Sequence, residues 1–313
     1  MGKVILFGEA MALLIADVPG PLEEVEHFTR AMSGAEVNVS IGLSRLGHQV
    51  EYLTRLGDDP FGHYIEKSLK DNGIGTSLIS YDDVYRTGIQ LKNRTTDGSD
   101  PYAPYYRKGS AASHISVAEI DKIDLSDVEL VHVTGIPPAL SLSAREATLR
   151  LMDRAKDAGI RVTFDPNLRP ALWEDRETMC DVINRLSAKA DIVLPGIGEC
   201  EILAGLSKID EIFAFYQEMG VDTVIVKDGS KGAHVKAGNE CWMIGGFKVE
   251  KVVDTVGAGD GFAVGVISGL LEGLSIQESV RRGNAIGAIQ VMNIGDNEGL
   301  PTQEQLRAFM ESA

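Results

Sequence analysis

The chain has 313 residues, 44% hydrophobic and 24% charged, with a formal net charge of −16. That length can bury a large core, in one large α/β domain or in two domains, and the composition is that of an ordered globular protein. The acidic balance argues against nucleic acid and anionic membrane as partners, but not against an anionic small molecule met by a local pair of arginines. Cys180, Cys200 and Cys241 are odd in number and never spaced as Cys-x-x-Cys, which reads as reduced thiols in a cytoplasmic protein. The apolar run Val4–Phe7 is too short for a signal peptide, and no stretch approaches a membrane span.

In chain order, KVILFG (3–8) is a short apolar run and EAMALLIAD (9–17) continues with strand character. SGAEVNVSIGLSRLGH (33–48) places Val37, Ile41 and Leu46 near helical spacing, with Gly47 able to end the helix. QVEYLTRLG (49–57) reads as a strand, and DDPFGHYIEKSLKDNG (58–73) as a helix opened by Asp59-Pro60 and closed by Gly73. This β, helix, β, helix start favours a parallel sheet covered by helices. The rhythm then breaks: RTGIQLKNR (86–94) and PYYRK (104–108) look like antiparallel strands around the polar turn TTDGSDPY (95–102), an excursion that reads as a lid.

From VELVHVTGI (128–136) the alternation resumes. A helix over 143–159 leads to the strand IRVTF (160–164), and a helix to Ala190 leads to DIVLP (191–195). VDTVIVKDG (221–229) and GAHVKAG (232–238) follow as strands, then helices over 261–273, 275–293 and 302–312. No internal repeat or low-complexity linker divides the chain, so one interleaved α/β domain with a small β lid is expected over residues 1–313.

DTVGAGDGF (254–262) carries the most chemistry. Gly257 and Gly259 permit a tight turn with bare N–H groups at a helix mouth, a site for an anion. It lacks the Gly-Lys-Ser/Thr ending of a Walker A loop, and the first strand leads into FGEAMA rather than a dinucleotide fingerprint. A plain strand-to-helix turn also fits. The alternative is an anion hole for a phosphoryl group with Asp260 facing the attacking hydroxyl, as a base in phosphoryl transfer does.

On these residues the chain resembles the ribokinase (PfkB) family of sugar kinases, nearly end to end and most closely its 2-keto-3-deoxygluconate kinases. SGAEVNVSIGLSRLG (33–47) and DTVGAGDGFAVG (254–265) are similar to its two signatures, and YYRKGSAAS (105–113), DPNLRPALW (165–173) and VLPGIGECEIL (193–203) to the keto-deoxy-sugar-acid subgroup. The resemblance implies a ribokinase-like three-layer αβα sandwich with a mainly parallel central sheet and a β lid from about 10–32 and 86–112. It implies ATP, Mg²⁺ and transfer to the C6 hydroxyl of the sugar acid.

Asp260 would be the base, with Gly257, Ala258 and Gly259 as the anion hole. Gly34, Asn38, Gln90, Tyr105, Arg107, Asn167, Arg169 and Asp296 would line the sugar. Lys227, Gly229, Ser230 and Gly232 would lie along ATP, Asn284 would border the adenine, and Glu199 would reach Mg²⁺ through water. A monovalent cation near Asp254 and a homo-oligomer formed through the lid are further implications. Two departures are Gly196 where the family's Asn-x-x-Glu element has an amide, and Gln90 where relatives carry tyrosine.

Independently of the family, arginine matches a carboxylate with a planar bidentate fork, which suits Arg107 and Arg169 to a sugar acid. Either could instead be a solvated surface residue. Strand alternation sends Tyr105 and Tyr106 to opposite faces, so at most one reaches the sugar. The six histidines show no metal-ligand spacing. His132 is expected to be a satisfied core residue, and Arg150, Asp153 and Arg154 a solvated helix face.

Overall fold

The structure, a computed structural model, describes residues 2–95, 101–293 and 295–312. Its strands are β1 (Lys3–Phe7), β2 (Met11–Pro19), β3 (Phe28–Ser33), β4 (Val50–Gly57), β5 (Ile79–Asp82), β6 (Ile89–Arg94) and β7 (Tyr105–Tyr106). They continue with β8 (Val128–Thr134), β9 (Arg161–Asp165), β10 (Ile192–Val193), β11 (Thr223–Lys227), β12 (Gly232–Ala237) and β13 (Glu240–Gly245). A nine-stranded sheet runs β13-β12-β11-β10-β9-β8-β1-β4-β5, and a separate four-stranded sheet runs β3-β2-β6-β7. Every pairing from β5 across to β11 is parallel, and β12 and β13 add an antiparallel edge.

The large sheet is covered on both faces. Ile5 and Phe7 of β1 share a core with Leu151 and Met152 of the helix Leu142–Asp157 and with Met179 and Ile183 of Arg176–Ser187. Val4 and Leu6, pointing the other way, share a core with Val37 of Ala35–Arg45, Val264 of Ala258–Leu271 and Ile286 of Ile276–Val291. Strand alternation thus feeds two apolar cores and gives the three-layer αβα sandwich. The helix boundaries follow local chemistry. Asp59 caps Pro60–Asp71 by accepting from the N–H groups of Phe61 and Gly62, and Gly73 leaves that helix at φ +73°.

The structure departs from the sequence reading in several places. The helix expected to begin at Gly261 begins at Ala258, because Gly257 adopts a left-handed φ of 76° and caps it. β3 and β13 are strands that periodicity did not reveal, and β10 is only two residues long. Of the expected turn TTDGSDPY, residues 96–100 lie outside the described residues. The strands flanking it do pair antiparallel, Ile89 with Tyr106 and Gln90 with Tyr105.

His132 is buried but half satisfied: its Nδ1 lies 2.9 Å from the Thr163 hydroxyl while Nε2 has no partner. Burial pushes it down to about 3, so the ring is neutral. The helix face of Arg150 and Asp153 is solvated as expected, and its groups also find partners. Arg150 pairs with Asp121 at 2.6 Å, Asp153 with Lys189, and Arg154 donates to the carbonyls of Ile120 and Ile123.

Gly265 sets the crossing of the helices Ala258–Leu271 and Ile276–Val291. A Cβ there would lie 2.4 Å from both N and Cα of Gly283, backbone that cannot rotate aside. Gly265→Ala is therefore expected to cost roughly 1–3 kcal/mol in a urea melt, the usual range for overpacking; an unchanged midpoint would show that the two helices can separate freely.

Candidate active site

Four parallel strands, three of them adjacent and the fourth beyond β8, deliver the polar groups at their C-terminal ends. Glu9 follows β1, Asp165 ends β9, Gly196 follows β10 and Lys227 ends β11, the position where open α/β sheets bind ligands. Here a cavity of about 800 Å³ lies between the large sheet and the small one. Gly34, Asn38, Gln90, Tyr105, Arg107, Asn167, Arg169, Asp296, Glu199, Gly257 and Asp260 all line it. A second cavity of about 730 Å³ is lined by Gly229, Ser230, Gly232, Ala258 and Asn284. Lys227, Thr255 and Gly259 belong to both walls, so the glycine loop forms the boundary between the two spaces.

Asp260 is the third residue of its helix. Its Oδ2 accepts from Asn38 Nδ2 at 2.8 Å, and Asn297 Nδ2 donates to Asn38 Oδ1 at 3.1 Å, which fixes the asparagine amide the right way round. Burial raises Asp260 to about 6; the Asn38 bond opposes that, Asp165 adds to it, and Arg169 and Lys227 pull it down. Just before it, the Ala258 N–H makes a long 3.4 Å bond to the Thr255 carbonyl. Among the described residues the N–H groups of Gly257 and Gly259 have no protein acceptor. An ionisable carboxylate and open helix N-terminal donors thus share one boundary.

The two arginines differ. Arg107 is buried: its Nε and Nη2 reach Glu9 Oε2 at 2.6 and 2.5 Å, and Ser110 donates to the other oxygen of Glu9. Arg107 is thus not the solvated surface residue that was the alternative: it lines the cavity, and a buried carboxylate already balances its charge. Arg169 is exposed to the cavity and bonds only to the carbonyls of Asn167 and Leu168, at 3.3 and 3.0 Å. Asn167 is the one described non-glycine residue with positive φ, 39°, which turns this loop back over the cavity. Tyr105 lines the cavity and its neighbour Tyr106 does not, as the alternation requires.

Other expected residues carry partners of their own. Lys227 lines both cavities, at their junction, with Nζ 2.6 Å from Asp165 Oδ2. Asn284 donates to the carbonyls of Ile244 and Gly245, leaving only its amide oxygen for a ligand. Glu199 accepts from the N–H groups of Leu168 and Gly196 at 2.8 and 2.7 Å. That bond explains Gly196-x-x-Glu199: the carboxylate caps the helix Ile197–Ala204 without help from an amide side chain. Among the described residues no group of three acidic, histidine or cysteine side chains could hold a metal. Both oxygens of Glu199 already accept from backbone N–H groups, so a Mg²⁺ bound with phosphates would meet this carboxylate through water.

Several site groups escaped the sequence reading. Glu9 and Glu36 are buried carboxyls of the first cavity; burial raises Glu36 to about 7, against a bond from Thr134, and its Oε2 has no partner. Lys92 shares the inward face of β6 with Gln90 two residues earlier, a period-2 signal that was available. In the apolar wall of the second cavity, Phe247, Val249 and Val252 follow β13 and could not be placed without that strand, while Phe262 comes from the expected helix.

A family model described as pfkB family carbohydrate kinase matches residues 1–303. The chain is 45% identical over 309 residues to a 2-dehydro-3-deoxygluconokinase of Bacillus subtilis (strain 168), with 98% of this chain and 95% of the relative covered. A 2-dehydro-3-deoxygluconokinase of Thermoproteus tenax is 33% identical, covering 100% and 95%. The crystal structure of a PfkB protein from Polaromonas sp. JS666 aligns with a TM-score of 0.90 at 45% identity, covering 98% of this chain and 100% of that one. A putative ribokinase II from E. coli, in complex with ATP and Mg²⁺, aligns at 0.89 and 26% identity over all of both chains. With two cavities meeting at a glycine loop and a buried carboxylate, on a matching fold and a matching sequence, the chain belongs to the pfkB family of carbohydrate kinases.

Proposed function

We propose that the chain is an ATP-dependent kinase that phosphorylates the C6 hydroxyl of 2-keto-3-deoxygluconate (2-dehydro-3-deoxy-D-gluconate). The observation that carries this reading is Asp260, held by Asn38 on the wall of the first cavity and next in sequence to Gly259, which both cavities share. In this reading the sugar acid occupies the first cavity and ATP the second. The sugar oxygen attacks the γ-phosphorus, a new O–P bond forms as the bond to the β-phosphate oxygen breaks, and Asp260 takes the hydroxyl proton. The open N–H groups of Gly257 and Gly259 offset charge on the transferred group. Mg²⁺, when bound, neutralises phosphate charge, and Glu199 would hold its water.

The choice of a sugar acid rests on charge. Arg107 is balanced by Glu9, Lys227 by Asp165 and Lys92 by Asp296, which leaves Arg169 as the cavity cation without a carboxylate partner among the described residues. A substrate carboxylate would complete it. The small sheet is read as a lid, residues 10–32 and 86–112 of a single 1–313 domain. Val18, Tyr102 and Tyr106 are exposed on its strands and their flank, a surface suited to a second copy of the chain. No helix among the described residues is long and apolar enough to cross a membrane, and the unpaired cysteines fit a cytoplasmic setting.

Asp260→Asn is expected to retain ATP binding and lose turnover by about 10²–10⁴-fold. Because the base must be ionised, kcat/KM of the parent should fall as pH drops through about 6, and Arg169→Ala should move that limb to higher pH. A flat profile down to pH 5 would remove Asp260 from the base role.

Arg169→Ala should lower kcat/KM for 2-keto-3-deoxygluconate roughly 10- to 100-fold and spare fructose, whereas Arg107→Ala should impair both by leaving Glu9 buried and unpaired. Equal losses on both sugars in Arg169→Ala would take away the physical case for a sugar acid, and a parent that prefers fructose or ribose would assign the chain to those kinases instead. Hydrogen exchange over residues 86–112 should slow when the sugar acid is added; exchange that ignores saturating sugar would rule out a closing lid.

A further inference from the structure

The segment from Asp254 to Gly257 has no regular secondary structure; besides the backbone bonds from the Asp254 N–H to the Val291 carbonyl and from the Ala258 N–H to the Thr255 carbonyl, side chains hold it. Asp254 Oδ1 accepts from the Val256 N–H at 3.0 Å and Oδ2 from the Gly295 N–H at 3.3 Å. Gln290 Nε2 donates to the carbonyls of Gly295 at 2.7 Å and Val256 at 3.4 Å. These bonds fasten the loop to the turn that carries Asp296. The fit is close: a Cβ on Gly257 would lie 2.3 Å from the Asp296 carbonyl oxygen, so the loop packs directly against the backbone that carries Asp296.

One more side chain arrives from elsewhere. Lys92, on β6 of the small sheet, places Nζ 2.9 Å from Asp296 Oδ1 and 4.0 Å from Asp254 Oδ2. All three side chains are only 12–13% exposed, well outside the regime in which surface ion pairs contribute little. Among the described residues these are the ion pairs that reach from the strands of the small sheet to another part of the chain. We propose that Lys92 is a positioning residue for phosphoryl transfer, whose ammonium ties the small sheet to the glycine loop and holds the Gly257 amide where the transferred group passes. The role rests on the proposed kinase reaction, but the tie itself does not.

A monovalent cation beside Asp254 fits poorly with this arrangement. The two carboxylate oxygens of Asp254 already accept from backbone N–H groups, and a fixed ammonium stands 4.0 Å away. Lys92 supplies from within the chain the positive charge such an ion would bring.

The test compares Lys92→Met and Lys92→Arg with the parent chain. In the protein without substrates, hydrogen exchange over residues 252–262 should quicken in Lys92→Met and stay near the parent in Lys92→Arg; unchanged exchange in Lys92→Met would overturn the tie. With the best sugar of a panel, kcat of Lys92→Met should fall roughly 10- to 100-fold with both KM values near the parent's, the signature of lost orientation rather than lost binding. Added ammonium or potassium chloride should recover part of that loss in Lys92→Met and leave the parent unaffected. A defect confined to the sugar KM would overturn the proposal by making Lys92 a sugar contact. If no sugar is phosphorylated by the parent, the kinase reading fails while the exchange measurement still decides the tie.

Discussion

The hydrogen bond from Asn38 to Asp260 spans 222 residues of sequence and joins the first turns of two helices. Everything else at the site is arranged around the cost of burying that carboxylate. The helices Ala35–Arg45 and Ala258–Leu271 can bring their N-termini together because Gly42 has no Cβ: one would lie 2.5 Å from a methyl of Val264. The close crossing and the polar contact are thus one constraint seen at two depths. The apolar seam sets the distance, and the amide at its open end sets the carboxylate's orientation.

Charge in the cavity is managed by pairing. A chain of net charge −16 gathers Lys92, Arg107, Arg169 and Lys227 around one space, and three of the four are matched by an acid on a different segment. Each match spans elements that meet only in the folded chain, so the balance of the cavity is a property of topology. The unmatched group, Arg169, sits on a loop turned by the left-handed Asn167.

Much of this was legible in the sequence. The βα rhythm, the Asp59-Pro60 helix start and the Gly257 turn are local signals, and the structure follows them. Asn38, Gln90, Tyr105, Arg107, Asn167, Arg169 and Asp260 come together because segments with recognisable motifs meet at strand ends. The partners of these residues were not legible. Glu9 looked like part of a strand-like run, and nothing local shows that it would face Arg107, 98 residues away. β13 has alternate residues buried only partly, with an exposed edge, so its pattern lacks the apolar weight that marked β1 or β8. The early start of the helix at Ala258 was masked by glycines, which carry no periodicity of their own.

The two raised carboxyls, Asp260 at about 6 and Glu36 at about 7, bind protons more readily in the fold than in the unfolded chain, whose ordinary values are 3.8 and 4.5. Below those ordinary values their contribution to stability is fully present, and it is lost as pH rises through about 6 and about 7. Folding of this chain near pH 5 to 6 therefore draws protons from solution at these two positions. By these groups alone the molecule is tightest below the ordinary carboxylate values, where its buried base is protonated in both states, and it gives up that resilience on the way to the range where Asp260 is charged. Resistance to unfolding and readiness for proton transfer peak on opposite sides of the same titration.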